Sequence, residues 1–467
     1  MAHIDKIDNE VQEVLDAITR LRTELRLPKT PQELEALERE IVQTTDKLAG
    51  LLTAKQIQGA VDSEELRGEA SELVKGHPKQ LKSNGCEEVK IKLLRGGTAT
   101  IKVPYYCRKR FGPRKFGTKK DKGLYPSLIL LGICERFTPA LASEATMLSV
   151  AMGSLEEACN ILKEQGIKIN IKTLRSLTCR YAQRARATLR SETFEFEDCV
   201  AGCRVVISTD GGRVRIRRKK RGPKTQKGRN RYYTGWKEPK LLNIYIADEN
   251  GRKSQEFQPF IDGTMKGPDT IFMLINYYLS KLGITQAAAL LFVADGAHWI
   301  WNRIEKLVKD LHIDVKKVYE LLDFYHAVEH LGTVASLRKS WSAEEKRRWI
   351  KKHRSLLKKG RVTEVVDAVK AICRGRNSDE IRRERDYFVR NRERMNYPLM
   401  EQMKLPLGSG SMESSVRRVI NLRMKGPGIF WLEESAEAML LLRSFYKAGR
   451  WSMLKLLVFS EESRTVV

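Results

Sequence analysis

CRVVISTD (residues 203–210) and AAALLFVADG (residues 287–296) are two short apolar runs that each reach an aspartate followed by glycine. Their length and apolar content predict buried β-strands. Between them lie two further strand-like runs, LLNIYIADENG (241–251) and QEFQPFIDG (255–263), and a helical stretch at 268–282. A second helix and the run KKVYELLDFYH (316–326) follow. Three consecutive strands joined by reverse turns, then apolar strands separated by helices, predict a mixed α/β sheet.

Three acidic residues carry the chemistry that this pattern suggests. Asp210 and Asp295 directly follow apolar runs, so both should lie at carboxyl ends of strands, the edge of an α/β sheet where ligands bind. Glu413 follows the glycine-rich stretch GSGS (408–411), in the first turn of a predicted helix. Singly, each acid is explained by an Asp-Gly turn or by the helix dipole. Together they indicate a site for two Mg²⁺ or Mn²⁺ ions about 4 Å apart that catalyses phosphoryl transfer.

The net charge favours a polyanionic partner. Eighty-six Lys and Arg against 58 Asp and Glu leave +28 formal charges. Nucleic acid is the expected partner, because a membrane-bound chain would be expected to carry a basic amphipathic helix or a lipidation signal. No apolar run reaches the roughly 20 residues that span a bilayer, so we expect a soluble, cytoplasmic protein.

Residues 213–231 contain eleven Lys or Arg and no acid. A hairpin with this charge can lie along a phosphate backbone, and a solvated tip that binds nothing specific is the alternative. The candidate DNA contacts in it are Arg213, Arg215, Arg217, Arg218, Lys219, Lys220 and Arg221. Trp236 and Glu238 follow this stretch. The simplest interpretation of Trp236 is a core residue, and that of Glu238 is an acid on a strand surface. Glu238 is also a candidate border residue of the active site.

The N-terminal part is predicted to be mainly helical. A heptad-like pattern in residues 5–25 and a capped helix beginning at Thr30-Pro31 predict a coiled coil or a helical hairpin, either an intramolecular pair or a dimerisation arm. Residues 87–106 predict two strands around Gly96-Gly97. Two helices separated near Gly166 predict a helix-turn-helix, with Arg175 and Arg180 as candidate DNA contacts and an ordinary helical pair as the alternative.

Two motifs suggest zinc, and neither is sufficient. His326-Ala327-Val328-Glu329-His330 matches the H-x-x-E-H pattern of a peptidase class, but such short motifs recur by chance and a peptidase would not explain the charge. We expect Asp323 and His326 to border the active site instead. The eight cysteines form no C-x-x-C pair, and Arg110 stands where a zinc knuckle at Cys107 would need its second cysteine, so zinc is not expected.

Several segments, in this order, are similar to bacterial insertion-sequence transposases of the DDE class, related to Mutator-like transposases (the Kra/Lre-like group). They are STDGGRV, GWKEPK, VADGAHWIW, LLDFYHAVEHL, YFVRNRERMNYP, LPLGSGSMESSVRRVINLRMKGPGIFW and AEAMLLLRSF, within about residues 200–445. Upstream, LYPSLILLGICERFTPALASEA resembles the DNA-binding half of these enzymes.

The resemblance implies that Asp210, Asp295 and Glu413 are the catalytic metal ligands and that Asp323 and His326 match a D-x-x-H element. It implies cleavage at element ends and joining of the freed 3′ hydroxyl to target DNA, by a homo-oligomer assembled on DNA. The spacing after Glu413 adds four candidate contacts to the scissile strand, which are Arg417, Arg418, Arg423 and Lys425. The alternatives are a catalytically silent, domesticated DNA-binding protein and a metal-dependent nuclease that cuts without joining.

The expected fold is an RNase H-like mixed α/β sheet with a helical insertion, preceded by mainly helical N-terminal domains. Six segments are predicted. They are a helical arm (1–75), a small β and basic segment (76–125), a helix-turn-helix-like domain (126–195), the first part of the catalytic core (196–331), a basic helical insertion (332–406) and C-terminal core helices (407–467).

Overall fold

The computed structural model describes residues 2–24, 26–108, 123–191, 194–375 and 378–465. The chain forms two compact units, Met1–Glu192 together with Lys455–Val467, and Thr193–Leu454. Most of the predicted basic stretch 108–122, including Arg110, lies outside the described residues. None of the helices in the described ranges is both long enough and apolar enough to cross a membrane.

The first unit is mainly helical and contains one β-hairpin. Its elements before residue 192 are α1 (Ala2–Thr23), α2 (Pro31–Asp62), α3 (Glu64–Lys75), β1 (Leu81–Lys92), β2 (Thr98–Arg108), α4 (Pro126–Leu130), α5 (Pro139–Ala151), α6 (Leu155–Glu164) and α7 (Ile171–Thr188). The last helix, α18 (Trp451–Phe459), runs into this unit and precedes a 3-10 turn at Glu462–Thr465.

Helices α1 and α2 pair within the chain as an antiparallel hairpin. The Thr30 hydroxyl accepts the Glu33 N–H at 3.2 Å and caps α2, as its sequence predicts. The ion pairs Lys55–Asp8 and Arg26–Glu40 join distant positions in antiparallel order. For α2 the sequence predicts an apolar face of Leu34, Leu37, Ile41, Leu48 and Leu52. This prediction is wrong, because the buried positions are Gly50, Ala54, Gln58 and Val61, whereas Leu34, Ile41 and Leu52 stay exposed.

The physical reason for this shift is a close backbone contact. A Cβ on Gly50 would lie 2.7 Å from the Gly96 Cα, in the turn between β1 and β2. Two glycines therefore allow α2 to pack directly on the hairpin, and this packing selects the face with small residues. The hairpin itself forms around Gly96-Gly97, as the sequence predicts.

The second unit is a mixed α/β fold. Its strands are β3 (Arg204–Gly211), β4 (Val214–Lys219), β5 (Tyr232–Lys237), β6 (Lys240–Ala247), β7 (Phe260–Thr264), β8 (Ala289–Ala294) and β9 (Val318–Leu322). Its helices are α8 (Pro268–Lys281), α9 (His298–Asp310), α10 (Phe324–Ser336), α11 (Ala343–Lys358), α12 (Val362–Cys373), α13 (Asp379–Arg390), α14 (Tyr397–Gln402), α15 (Gly410–Val416), α16 (Leu422–Met424) and α17 (Glu433–Ala448). Short 3-10 turns lie at Ile284–Gln286, Val315–Lys317 and Arg392–Arg394, and a π-helical segment at Arg417–Asn421 joins α15 to α16.

Five strands form one mixed sheet in the order β7-β6-β3-β8-β9. The first three in sequence, β3, β6 and β7, are antiparallel neighbours, whereas β8 and β9 run parallel to β3. This confirms the mixed sheet and the strands predicted from the apolar runs. Strands β4 and β5 form a separate antiparallel hairpin inserted between the first two strands of the sheet.

One hydrophobic core binds the sheet to its helices. Every residue of β8 is buried, as expected for a strand covered on both faces. The core continues into the region 332–406, which is helical, through Leu357 of α11, Val369 of α12 and Phe388 of α13. One continuous hydrophobic core thus supports the edge of the sheet at which β3, β8 and β9 end.

Candidate active site and basic hairpin

Three aspartates lie at one edge of the sheet. Asp210 is the penultimate residue of β3, Asp295 directly follows β8, and Asp323 directly follows β9. These strands are parallel neighbours, so their carboxyl ends meet at the same edge. The structure therefore brings together the two aspartates predicted as metal ligands.

Glu413 approaches this edge from α15. Asn243 in β6, only 1% exposed, donates from its Nδ2 atom to the hydroxyls of Ser411 at 2.8 Å and Ser415 at 3.2 Å. These bonds fix α15 on the sheet, while the Glu413 side chain remains 59% exposed. Asn243 was not among the predicted site residues; a polar residue inside an otherwise apolar strand was the only signal in the sequence.

The electrostatics of Asp210 indicate a site built for a cation. Burial raises the pKa of the Asp210 carboxyl, a 2.6 Å hydrogen bond from the Gly211 N–H opposes that rise, and the charge of Asp295 adds to it. Burial and the neighbouring negative charge of Asp295 therefore disfavour the ionised form of Asp210. A divalent cation between them would remove this penalty, and carboxylate oxygens are the ligands that Mg²⁺ and Mn²⁺ prefer.

The tightest group of potential ligands differs from the predicted set. In the described residues, ligand atoms of Asp323, His326 and Glu413 all lie within 4.8 Å of one another, and Asp210 and Asp295 do not belong to this group. The His326 Nε2 atom lies 3.8 Å from the Glu413 Oε1 atom. Glu413 thus faces the D-x-x-H element directly, which the sequence placed only at the border.

Asp323 is fully buried and its carboxylate is saturated. Its Oδ1 atom accepts the N–H of Tyr325 at 2.7 Å and of His326 at 3.3 Å, which caps α10. Its Oδ2 atom accepts the Ser409 N–H at 2.6 Å and the Ser409 hydroxyl at 2.5 Å. A carboxylate offers about four acceptor positions, and all are occupied here. Asp323 therefore holds the loop before Glu413 and is poorly suited to bind a metal.

The same loop is held by its backbone. The Phe324 N–H donates to the Leu407 carbonyl at 2.9 Å. A Cβ on Gly408 would lie 2.6 Å from the Tyr325 ring, so glycine allows this close approach. The 408–411 stretch, Asp323 and α10 consequently act together to position Glu413.

The two histidines of the H-x-x-E-H motif have separate partners. His326 Nδ1 lies 3.2 Å from a Glu329 oxygen, whereas His330 Nδ1 lies 2.6 Å from the buried carboxylate of Glu384 and stacks on Tyr387. Among the described residues this motif forms no group of three ligands. The eight cysteines are free thiols, and none joins such a group in the described ranges.

The predicted basic hairpin is formed by β4 and β5. The candidate contacts Arg213, Arg218, Lys219, Lys220 and Arg221 are exposed, and Arg215 and Arg217 are half-buried. A core position for Trp236 is wrong: the residue is 54% exposed, because the hairpin stands outside the main sheet. Glu238 is exposed and pairs with Lys240 at 2.6 Å.

The four cations after Glu413 do not form one surface. Arg417 and Lys425 are exposed and Arg418 is half-buried, but Arg423 is only 7% exposed, with its guanidinium 5.4 Å from the Trp431 ring. Lys425 lines a cleft of about 380 Å³ together with Arg213 and Glu238, beside Gly211 at the end of β3. Arg213 and Lys425 are therefore exposed cations beside the end of β3, the strand that carries Asp210.

A buried arginine supports the π-helical segment. Arg443 in α17 donates from Nε to the Val419 carbonyl at 2.8 Å and from Nη2 to the Arg418 carbonyl. Burial lowers the pKa of Arg443 to about 10, and the charge of Arg423 contributes to that decrease. A π-helical segment departs from the regular i→i−4 hydrogen-bond ladder, and the guanidinium fork gives these two carbonyls a partner.

Arg443→Lys is expected to lower the free energy of unfolding by about 1–3 kcal/mol, because a single ammonium lacks the fork that serves both carbonyls. Urea denaturation followed by circular dichroism measures this. Arg417→Lys on the same segment is the control and is expected to stay within about 0.5 kcal/mol, since that side chain is exposed. Equal midpoints for the two variants would contradict the supporting role.

In the first unit, the predicted helix-turn-helix region contains α6 and α7 packed with α5. The Asn170 side chain caps α7 by accepting the Thr173 N–H at 2.8 Å. Arg175 is exposed, whereas Arg180 pairs with Glu135 at 3.2 Å. Arg175 is thus the more available of the two candidate DNA contacts.

A comparison with models of known protein families found no match, and a comparison with curated proteins found none.

Proposed function

We propose that this protein is a DNA transposase that cuts element ends and joins them to target DNA by metal-dependent phosphoryl transfer. The observation that carries the proposal is the convergence of Asp210, Asp295 and the Glu413 helix at one edge of the sheet, with a D-x-x-H element clamping that helix. Such a site suits chemistry on phosphodiesters, and a chain with +28 charges suits a DNA substrate.

The fold supports this proposal as well. The order β7-β6-β3-β8-β9, with three antiparallel strands followed by two parallel ones, is the arrangement expected of an RNase H-like core. The helical region 332–406 then separates the second aspartate from Glu413 in the chain, in keeping with the insertion implied by the resemblance to DDE transposases.

In the proposed mechanism, Asp210, Asp295 and Glu413 would hold two Mg²⁺ or Mn²⁺ ions, which would supply activation of the attacking oxygen and stabilisation of the leaving oxygen. Asn243 and Asp323 position Glu413, and the His326 Nε2 atom lies 3.8 Å from its carboxylate. Water first attacks the phosphate at the element end, which breaks the bond to the 3′ oxygen. The freed 3′ hydroxyl then attacks a target phosphodiester, and a target 3′ oxygen leaves.

The test is a strand-transfer assay with Mg²⁺ or Mn²⁺, a labelled end fragment of the element and a supercoiled target. Joined product supports the transposase. Cleavage without joining would indicate a nuclease, and binding without cleavage a domesticated DNA-binding protein. We further propose that the active form is a homo-oligomer on DNA and that the protein acts at the bacterial nucleoid.

The exposed cations of the hairpin should contribute to binding through counterion release. Replacing Lys219, Lys220 and Arg221 by alanine should lower the slope of log Kd against log salt by about three, roughly one for each lost phosphate contact. Fluorescence anisotropy with a labelled duplex at several salt concentrations measures the slope.

The matched control replaces Lys306, Lys309 and Lys316, which are exposed and precede β9, at the opposite edge of the sheet from the carboxylates. This triple variant should keep the wild-type slope. A hairpin variant with an unchanged slope would mean that its tip is only a solvated loop.

A further inference from the structure

One face of the β4–β5 hairpin alternates cations with aromatic rings. The strand register sets Arg215 opposite Trp236, and Lys219 opposite Tyr232. Arg217 and Thr234 form the pair between them. Because side chains alternate between the faces of a strand, these three pairs share one face, which we call the aromatic face.

The rings on this face are exposed to an unusual degree. Trp236 is 54% exposed and Tyr232 is 39% exposed. Phe430, which is 37% exposed, lies beside them because the Trp431 backbone bonds to Arg215 and Arg217, at 2.9 Å in each case. Large aromatic side chains normally contribute to folding through burial, so several exposed together indicate a binding surface.

The cations on the aromatic face pair with rings instead of acids. The Arg215 guanidinium lies 4.9 Å from the Trp236 ring and 5.7 Å from the Phe430 ring, and Arg217 lies 4.9 Å from Tyr232. In the described part of the chain no carboxylate forms an ion pair with Arg215, Arg217 or Lys219.

The opposite face of the hairpin carries an acidic partner for two of its cations. There Glu433 pairs with Lys237 and lies 3.6 Å from Arg218, and these contacts lower the pKa of the Glu433 carboxyl. Lys220, on that same face, lies 5.0 Å from the Tyr233 ring. In the described residues Arg215, Arg217 and Lys219 thus lie without an acidic partner on the face that carries Trp236 and Tyr232.

We propose that the aromatic face binds unpaired DNA, with separate bases stacking on Trp236 and Tyr232 and with phosphates contacting Arg215, Arg217 and Lys219. The inference rests on the proposed function for its choice of DNA, and it adds the substrate class: DNA whose strands are locally open beside the cleavage site.

Stacking explains the rings better than duplex binding does. Bases inside a duplex are already stacked on each other, and duplex phosphates need only cations, so exposed ring planes gain contact only with unstacked bases. Trp236 and Tyr232 are four residues apart on one strand, which is about 13 Å at the usual rise per residue. At that distance each ring would stack on a different base.

The experiment compares the binding of two fluorescein-labelled probes in metal-free buffer. One is an oligothymidylate of about 20 nucleotides, long enough to cover one or more single-strand binding sites of ordinary size. The other is a duplex of similar length. Loss of stacking on two bases should weaken oligothymidylate binding of Trp236→Ala/Tyr232→Ala by at least about 30-fold, since two stacked bases are worth at least roughly 2 kcal/mol and each 1.4 kcal/mol is tenfold. Duplex binding should change less than about twofold, because the cations that contact duplex phosphates remain.

Two controls separate stacking from folding and charge. Trp236→Phe/Tyr232→Phe keeps the ring planes and should bind oligothymidylate like the wild type. Tyr233→Ala removes a ring that is 60% exposed on the opposite face of the same hairpin and should also bind like the wild type.

Equal losses for both probes, or no loss for oligothymidylate, would overturn the proposal. Tighter binding of an oligouridylate of the same length than of oligothymidylate would also overturn it, since the surface would then be an RNA site. The strand-transfer assay on the same preparations keeps the two proposals apart. If the protein does not join DNA but Trp236→Ala/Tyr232→Ala selectively loses oligothymidylate binding, only the transposase proposal is rejected. If the protein joins DNA but that selective loss is missing, only the proposal for the aromatic face is rejected.

Discussion

Asp295→Asn is expected to reduce cleavage and strand transfer by more than about a hundredfold while DNA binding persists. Changes to residues that only support a metal ligand already cost about 10- to 100-fold, so loss of a ligand's charge should cost more. The amide can keep the Asp295 Oδ1 bond to the Ala297 N–H, at 3.1 Å, so the loop after β8 should retain its form.

The variant also separates charge from protonation. Burial and the charge of Asp295 raise the pKa of Asp210, so removal of that charge should lower the pKa and favour the ionised form of Asp210. Lost activity would therefore not arise from increased protonation of Asp210.

The measurement is single-turnover cleavage and joining of a labelled element end, with end binding followed by anisotropy. Asp310→Asn, an exposed aspartate at the end of α9, removes the same charge at the opposite edge of the sheet and should leave both activities unchanged. Cleavage by Asp295→Asn at near the wild-type rate would refute the assignment of the site.

Asp323→Asn is expected to slow cleavage about 10- to 100-fold at saturating DNA, as do substitutions of residues that hold a metal ligand in place. Its remaining carbonyl can still cap α10. The amide group, however, turns a donor toward Ser409, so that the Ser409 N–H loses its acceptor and the Ser409 hydroxyl can no longer donate to this side chain. The loop before Glu413 then loses its clamp, and the carboxylate of Glu413 loses its fixed position.

Asp323→Ala should additionally lower the free energy of unfolding by about 2–4 kcal/mol, from loss of a helix cap and from buried donors left without partners. Urea denaturation measures stability, and single-turnover cleavage measures positioning.

Ser342→Ala is the matched control for the cap alone, because Ser342 caps α11 through the Glu345 N–H at 3.2 Å in a capping box. It should cost about 1 kcal/mol and leave cleavage unchanged. A cleavage rate in Asp323→Asn no lower than in this control would show that Asp323 is only a cap.

Several features could be predicted from the sequence because they depend on neighbours in the chain. Short apolar runs ending at Asp210 and Asp295 predicted where two strands lie along the chain, since burial on both faces requires continuous apolar residues. The cap at Thr30 was also local, since a side-chain oxygen reaches an N–H three residues onward. The run of Lys and Arg in residues 213–231 showed where positive charge is concentrated.

Other features were decided by contacts between distant parts of the chain. The sequence named Asp323 as a border residue, but only its bonds to Ser409, 86 positions away, make it the clamp of the Glu413 loop. Arg423 could be recognised as a cation, but not as one packed on Trp431.

The amino-acid sequence by itself thus determined which strands form, where the acidic residues lie along them and where positive charge is concentrated. Alternation along a strand shows which side chains share a face, but not whether another element covers that face. Tertiary structure alone decided that Trp236 stays exposed, that Asn243 holds α15, and that Glu413 faces His326, because burial and long-range hydrogen bonds arise only when distant segments pack.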